Sequence, residues 1–162
     1  MAKRKTEYGG SGMKIVIGSD HGGYHLKETL LEFISRSGYE VFDIGAYSNE
    51  PSDYPDYARL MAEKIQSGEA WRGILICGSG VGASVAANKF RDIRAAVCHD
   101  TYSAHQGVED DAMNILCLGA RVIGAELAKE IVTAYLQAEF KDLERYRKRL
   151  SRIKEFERDF RL

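Results

Sequence analysis

Five short runs rich in β-branched and other apolar residues recur along the chain, each separated from the next by a longer amphipathic stretch. This alternation limits the folds open to it. The runs are KIVIGS (14–19), YEVFDIG (39–45), RGILIC (72–77), IRAAVC (93–98) and NILCLG (114–119). Between them, residues 23–37 (GYHLKETLLEFISRS) place Leu26, Leu30, Phe33 and Ile34 on one helical face, and Gly38 follows as a stop. Pro55 suits the first turn of a second helix reaching about Gly68, because proline lacks an N–H that would be orphaned there. Small residues at 82–90, a segment from Thr101 and residues 123–137 supply further helices, and 141–158 is helical and strongly charged. Strands alternating with helices imply a parallel sheet, since parallel neighbours need crossover connections. The runs read as continuous apolar segments more than as alternating ones, as burial on both faces requires. The pattern predicts an α/β doubly wound domain, a Rossmann-like three-layer sandwich of five parallel strands in the order 2-1-3-4-5, with a C-terminal helical arm. Such a sheet binds ligands at the carboxyl ends of strands 1 and 3, where the order reverses. The residues just past those ends are Asp20-His21 and Cys77-Gly78.

Length and composition bound the rest. At 162 residues the chain suffices for one domain. Residues 1–12, MAKRKTEYGGSG, are basic and then Gly/Ser-rich. They lack the apolar core of a secretory signal and read as a disordered tag or extension, with Met13 as the natural start. Residues 13–140 form the expected α/β domain, and 141–162 the arm. Twenty-three basic against 24 acidic residues leave a net charge of −1, which gives no bulk argument for nucleic-acid or membrane partners. No apolar stretch is long enough to span a bilayer. Three cysteines without a CxxC pair argue against a disulfide framework or zinc ribbon and fit a reducing cytoplasm.

The stretch ILICGSGVG (74–82) joins a strand-end thiol to a glycine loop. Gly78, Gly80 and Gly82 let backbone N–H groups line a concavity in front of a helix, an anion-binding arrangement. It lacks the Lys-Ser/Thr of a Walker A loop, and its strict i+2 spacing differs from G-x-G-x-x-G. Three readings stay open: a nucleotide cradle, a tight turn beside a core cysteine, and a catalytic loop. In the last, the amides that hold an anion also favour a thiolate, which is only about 3% of an ordinary cysteine at pH 7. Cys77 is then a base or nucleophile, and the loop receives charge developing on a substrate oxygen.

Asp20-His21-Gly22-Gly23 can transfer protons to sugar oxygens or bind phosphate; the plainer reading is a helix cap with a solvated histidine. His21 and His25 stand four apart, but no third ligand follows with convincing spacing, so no metal is expected. His99, in Cys98-His99-Asp100, is either rim decoration or a proton carrier. Cys98 and Cys117 read as small core residues. In KDLERYRKRLSR, Arg145 and Arg149 share a helical face, which is either merely solvated or a phosphate grip.

Taken together, IGSDHGGYHLK, DYPDYA, ILICGSGVGASVAANKFRDIRAAVC, NILCLGARVIG and the arginine tail resemble ribose-5-phosphate isomerase type B. That group belongs to the wider sugar-phosphate isomerases that include the galactose-6-phosphate isomerase subunits. The resemblance runs from Met13 to about Arg149. It implies a cofactor-free and metal-free aldose–ketose isomerase working through a cis-enediolate, with ribose 5-phosphate and ribulose 5-phosphate as the leading pair. Cys77 would move the proton between C1 and C2, and Ser79 with Gly78, Gly80 and Gly82 would hold the enediolate oxygens. Asp20 and Tyr54 would contact the sugar, and His21, Arg121, Arg145 and Arg149 the phosphate. The active site would be built across a homodimer, within a dimer or tetramer, with the arm reaching the neighbouring subunit. The resemblance breaks at GVEDDAMN, where relatives carry a His-Asn pair implicated in ring opening. Asp110 and Asp111 stand there, Asp111 at the substrate-contacting position, and only Asn114 is kept. His99 or Asp110 could take over ring opening, or the substrate could be a tetrose phosphate such as erythrulose 4-phosphate, which needs none. Allose and galactose 6-phosphates are alternative substrates. A non-catalytic binding module and, last, a cysteine redox enzyme are the contrasting classes.

Overall fold

Strand β1 (Lys14–Ser19) and strand β3 (Arg72–Cys77) occupy the bounds their β-branched runs predict. The computed structural model describes residues 14–160, so the expectation for residues 1–12 lies outside it. The remaining strands are β2 (Glu40–Asp43), β4 (Ala95–Val97) and β5 (Ile115–Gly119). All pair in parallel, with Ser19 opposite Ile76 and Cys77 opposite Gly119, so three strand ends meet at one carboxyl edge.

The order is β2-β1-β3-β5-β4, which corrects the expected 2-1-3-4-5. Burial explains the exchange. β5 is five residues long and wholly buried, which only an interior position provides. β4 has three half-buried residues and lies at the edge. There the side chain of Asn88 stands in for a further strand, donating to the Ala95 carbonyl and accepting from the Ala95 amide, each at 2.8 Å. The reversal between β1 and β3, which sets the ligand crevice, is unaffected.

Helices α1 (Tyr24–Arg36), α4 (Thr101–Asp111) and α5 (Ala125–Gln137) cover one face, burying Leu30, Ile34, Val108, Ile131 and Tyr135 against Ile17, Ile76 and Leu116. Helices α2 (Tyr54–Gln66) and α3 (Val81–Ala87) cover the other, with Met61, Ala62 and Ala83 against Val16, Leu75, Cys77 and Cys117. A single 3₁₀ turn, His21–Gly23, precedes α1. Helix α6 (Glu144–Asp159) packs on α4 through buried Tyr146. It is tied down by the Lys141–Glu109 ion pair at 2.7 Å and by the Asp92 amide, which donates to the Glu157 carboxylate at 3.2 Å. Among the described residues no helix is long and apolar enough to cross a membrane.

Candidate active site

Cys77 is the last residue of β3 and only 4% exposed, on the floor of the carboxyl edge. The loop after it folds back because Gly80 adopts a left-handed conformation (φ 81°), and a side chain there would meet the Leu118 carbonyl carbon at 3.0 Å. That reversal aims the Gly80 amide at Cys77 Sγ, to which it donates at 3.1 Å. The amide stabilises negative charge on the sulfur, as thiolate chemistry requires. The other two cysteines lack this help. Burial pushes the Cys98 thiol up to about 11 and raises Cys117 further.

The β5 end braces the loop. The Ala120 amide donates to the Cys77 carbonyl at 2.9 Å and the Arg121 amide to the Gly78 carbonyl at 3.0 Å. Gly119 packs so tightly on Ser79 that a Cβ would lie 2.6 Å from its backbone. The Arg121 side chain crosses Gly78, with its guanidinium 3.5 Å from where a Cβ would stand. Tyr54, at the start of α2, lies over Gly82, where a Cβ would come within 2.6 Å of the tyrosine ring. Gly82 thus makes room for the phenol at the mouth of the site.

Across the crevice, Asp20 is buried and its Oδ1 accepts from the Gly23 amide at 3.2 Å, the capping role open in the sequence. The Asp20 amide donates to the Ile76 carbonyl at 3.2 Å, and a Cβ on Gly22 would lie 3.5 Å from the Gly78 nitrogen. The two ligand-facing loops therefore lie side by side. His21 is held by Ser52, whose amide donates to Nδ1 at 3.1 Å and whose hydroxyl accepts from the His21 amide at 3.0 Å. His99 turns Nε2 to the Gly119 amide, which donates at 2.9 Å. Within one chain the fold brings together Cys77, Gly78, Ser79, Gly80, Gly82, Asp20, His21, Tyr54, His99 and Arg121.

It does not bring Asp111, Arg145 and Arg149 to Cys77. Helix α4 starts at the carboxyl edge and runs back down the sheet, so its eleven residues carry Asp111 roughly 15 Å toward the amino edge. Arg145 lies beside Asp110 there, its Nη2 donating to the Tyr146 hydroxyl at 2.8 Å, and Arg149 stacks over the same ring. A cleft of about 420 Å³ on this side is lined by Arg94, Asp111, Met113, Phe156 and Glu157, none of them in the carboxyl-edge group.

Two elements of the site lie outside the motifs that the sequence reading singled out. Ser52 is 31 positions from the histidine it holds. Lys27 is wholly buried beneath the loop after β2, where its ammonium pairs with Asp43 at 2.6 Å and Glu28 at 2.7 Å. Asp43 in turn accepts from the Gly45 amide at 2.9 Å, and the Gly45 carbonyl accepts from the Ser19 amide at 2.7 Å. A lysine on a core-facing helical position, followed by an acid at a strand end, is the only trace such a link leaves. Among the described residues no three His, Cys, Asp or Glu side chains cluster in a way that could hold a metal ion.

Residues 15–153 match the family described as Ribose/Galactose Isomerase. Ribose-5-phosphate isomerase B of Escherichia coli is 48% identical over 127 residues, covering 78% of this chain and 85% of that protein. D-erythrulose-4-phosphate isomerase of Pectobacterium atrosepticum is 46% identical over 132 residues, covering 79% of this chain and 85% of its own length. The structure of ribose-5-phosphate isomerase B from Clostridium thermocellum superposes with a TM-score of 0.89 at 50% identity, covering 91% of this chain and 99% of that one.

Proposed function

The chain belongs to the ribose/galactose isomerase family of sugar-phosphate aldose–ketose isomerases, and from that premise we propose that it interconverts ribose 5-phosphate and ribulose 5-phosphate with Cys77 as the base. The observation that carries this reading is the Gly80 amide donating to Cys77 Sγ at the carboxyl edge, beside the loop that carries Asp20 and His21. The thiolate removes the proton from C2 of the open-chain aldose. The released electron pair forms the C1–C2 double bond, and the C1 carbonyl oxygen takes the charge. Amides of the 78–82 loop and the Ser79 hydroxyl receive that charge. Proton exchange between the two oxygens, and return of the thiol proton to C1, give the ketose. Asp20 and Tyr54 orient the sugar, and His21 and Arg121 hold the phosphate.

The site is completed by a second copy of the chain in a homodimer or a tetramer built from it. Two observations support this. Val81 and Val85 lie on one face of α3, 56% and 57% exposed, beside the catalytic loop. Arg145, Arg149 and Asp111 lie far from their own Cys77, where a neighbour could use them. Three free cysteines fit a reducing, cytoplasmic setting.

Asp110 in place of the relatives' histidine favours a second substrate reading. Erythrulose 4-phosphate cannot close a ring through its phosphorylated hydroxyl, so no ring-opening acid is needed. The test is an isomerisation assay on purified protein with ribose 5-phosphate, erythrulose 4-phosphate, allose 6-phosphate and galactose 6-phosphate. Turnover of ribose 5-phosphate above the others supports the leading reading. Turnover of another sugar with none of ribose 5-phosphate replaces the substrate, and turnover of no sugar phosphate refutes the proposal.

A further inference from the structure

Strand β5 outlasts its neighbour at the sheet edge. β4 ends at Val97, paired with Cys117, whereas β5 runs on to Gly119. Backbone amides along a strand point alternately to its two sides. The Ala120 amide donates to the Cys77 carbonyl on β3 at 2.9 Å, so the Gly119 amide faces the β4 side. By then the chain beyond β4 has turned into α4, where the Asp100 carboxylate accepts from the Ser103 amide at 2.7 Å. The His99 ring supplies the acceptor that the strand does not: Nε2 receives the Gly119 amide at 2.9 Å. Gly119 is buried, and a buried amide without a partner is costly. A backbone N–H can only donate, so Nε2 of His99 keeps its lone pair for that bond and is not free to take up a substrate proton.

We infer that His99 is a positioning residue: by holding the Gly119 amide it fixes the peptide against which the catalytic loop packs, and so aims the Gly80 amide at Cys77 Sγ. The turnover this serves rests on the sugar-phosphate reading; the chain of contacts does not. A Cβ on Gly80 would lie 3.0 Å from the Leu118 carbonyl carbon and 3.3 Å from the Gly119 nitrogen, the atom whose proton His99 receives. A Cβ on Gly119 would lie 2.6 Å from the carbonyl carbon and oxygen of Ser79. Neither backbone leaves the other room for a methyl group, so a tilt of the Leu118–Gly119 peptide carries Ser79 and Gly80 with it. The Gly80 amide donates to Cys77 Sγ at 3.1 Å, and such a bond weakens steeply with misalignment. His21 and Tyr54 lie on other elements, the 3₁₀ turn and α2, so a loss of the His99 contact falls on the chemical step more than on substrate binding.

The test compares the full chain with His99→Leu, which removes the acceptor, and His99→Gln, whose side-chain oxygen can take the place of Nε2 but cannot carry a proton in catalysis. In the ¹⁵N-labelled parent at about pH 8.5, above the usual imidazole range, a ¹⁵N–¹⁵N coupling should be seen across the bond from the Gly119 amide to His99 Nε2. His99→Leu should lower kcat about ten-fold, the order of one hydrogen bond to a charged group, with KM within about two-fold. Hydrogen exchange at the Gly80 amide should quicken by a similar factor. His99→Gln should restore both kcat and exchange to within about two-fold of the parent. A parent without the coupling overturns the inference. So does a His99→Leu variant unchanged in kcat or in Gly80 exchange, and so does a His99→Gln variant as impaired as His99→Leu, which would make the ring a proton carrier. If His99→Leu does not fold, the parent coupling and His99→Gln still decide. The coupling and the exchange need no turnover. Their failure refutes this inference alone, whereas their success in a protein that isomerises no sugar phosphate refutes only the functional reading.

Discussion

Replacing Lys27 by methionine tests whether a buried ion pair anchors the loop behind the site. The ammonium is wholly buried, while the Asp43 and Glu28 side chains are 22% and 46% exposed. Removing one partner of a fully buried pair costs about 3–5 kcal/mol, whereas an exposed pair is worth about 0–1 kcal/mol. Half-exposed Glu28 belongs near the lower figure, and Asp43 can rehydrate in part once unpaired. Methionine keeps the apolar stem packed between Tyr24 and Tyr47, whose rings lie 5.7 and 5.6 Å from the ammonium. The net expectation is about 2–3 kcal/mol, or roughly 4–12 °C in Tm for a domain of this size. Burial alone would lower the lysine's proton affinity, but Asp43 and Glu28 more than offset it, and the net shift is upward from 10.5. The stabilisation is therefore complete below that value and is lost only as pH rises through the higher folded-state value. Thermal melts of Lys27→Met and Lys27→Met/Asp43→Asn at pH 7 are the assay. The double variant should recover part of the loss, since an amide tolerates the site without a cation. A single variant melting within about 2 °C of the parent refutes the reasoning.

Small-molecule thiol alkylation at pH 8, read by peptide mass mapping, should modify Cys77 and be slowed by ribose 5-phosphate. Cys98, whose thiol holds its proton up to about 11, and Cys117 should stay unmodified; label spread over all three would contradict the special setting of Cys77. Gly82→Ala should displace the Tyr54 ring, since the added carbon would lie 2.6 Å from it, and raise KM about five- to ten-fold while the melt moves little. An unchanged KM removes Tyr54 from the substrate contacts.

What the sequence made legible follows from what is local. β1 and β3 match their runs, because a continuous β-branched segment buried on both faces has few alternative conformations. The meeting of Asp20-His21 with Cys77-Gly78 followed from topology, since both stretches end strands flanking the reversal. The exchange of β4 and β5 was harder to see because both runs read as strands. The clue was quantitative: Ala95 and Ala96 offer less surface to bury than Ile115, Leu116 and Leu118, so the poorer strand takes the edge. The links of Ser52 to His21 and Lys27 to Asp43 left no pattern, because each joins residues whose separation is set by the fold and by no helical or strand period. The tail showed its helix but not its place; α6 follows α4 to the amino edge through one buried tyrosine amid charged neighbours.

The central claim is that the Cys77 sulfur carries the proton between two carbons of the substrate. The most direct measurement is kcat of Cys77→Ala with ribose 5-phosphate, together with solvent-deuterium incorporation at C1 and C2 of the recovered sugars. Loss of a positioned general base should lower kcat by about 10²–10⁴ and abolish incorporation in step, while sugar-phosphate binding persists. A variant that isomerises within ten-fold of the parent and still incorporates deuterium would contradict the assignment of the base to Cys77.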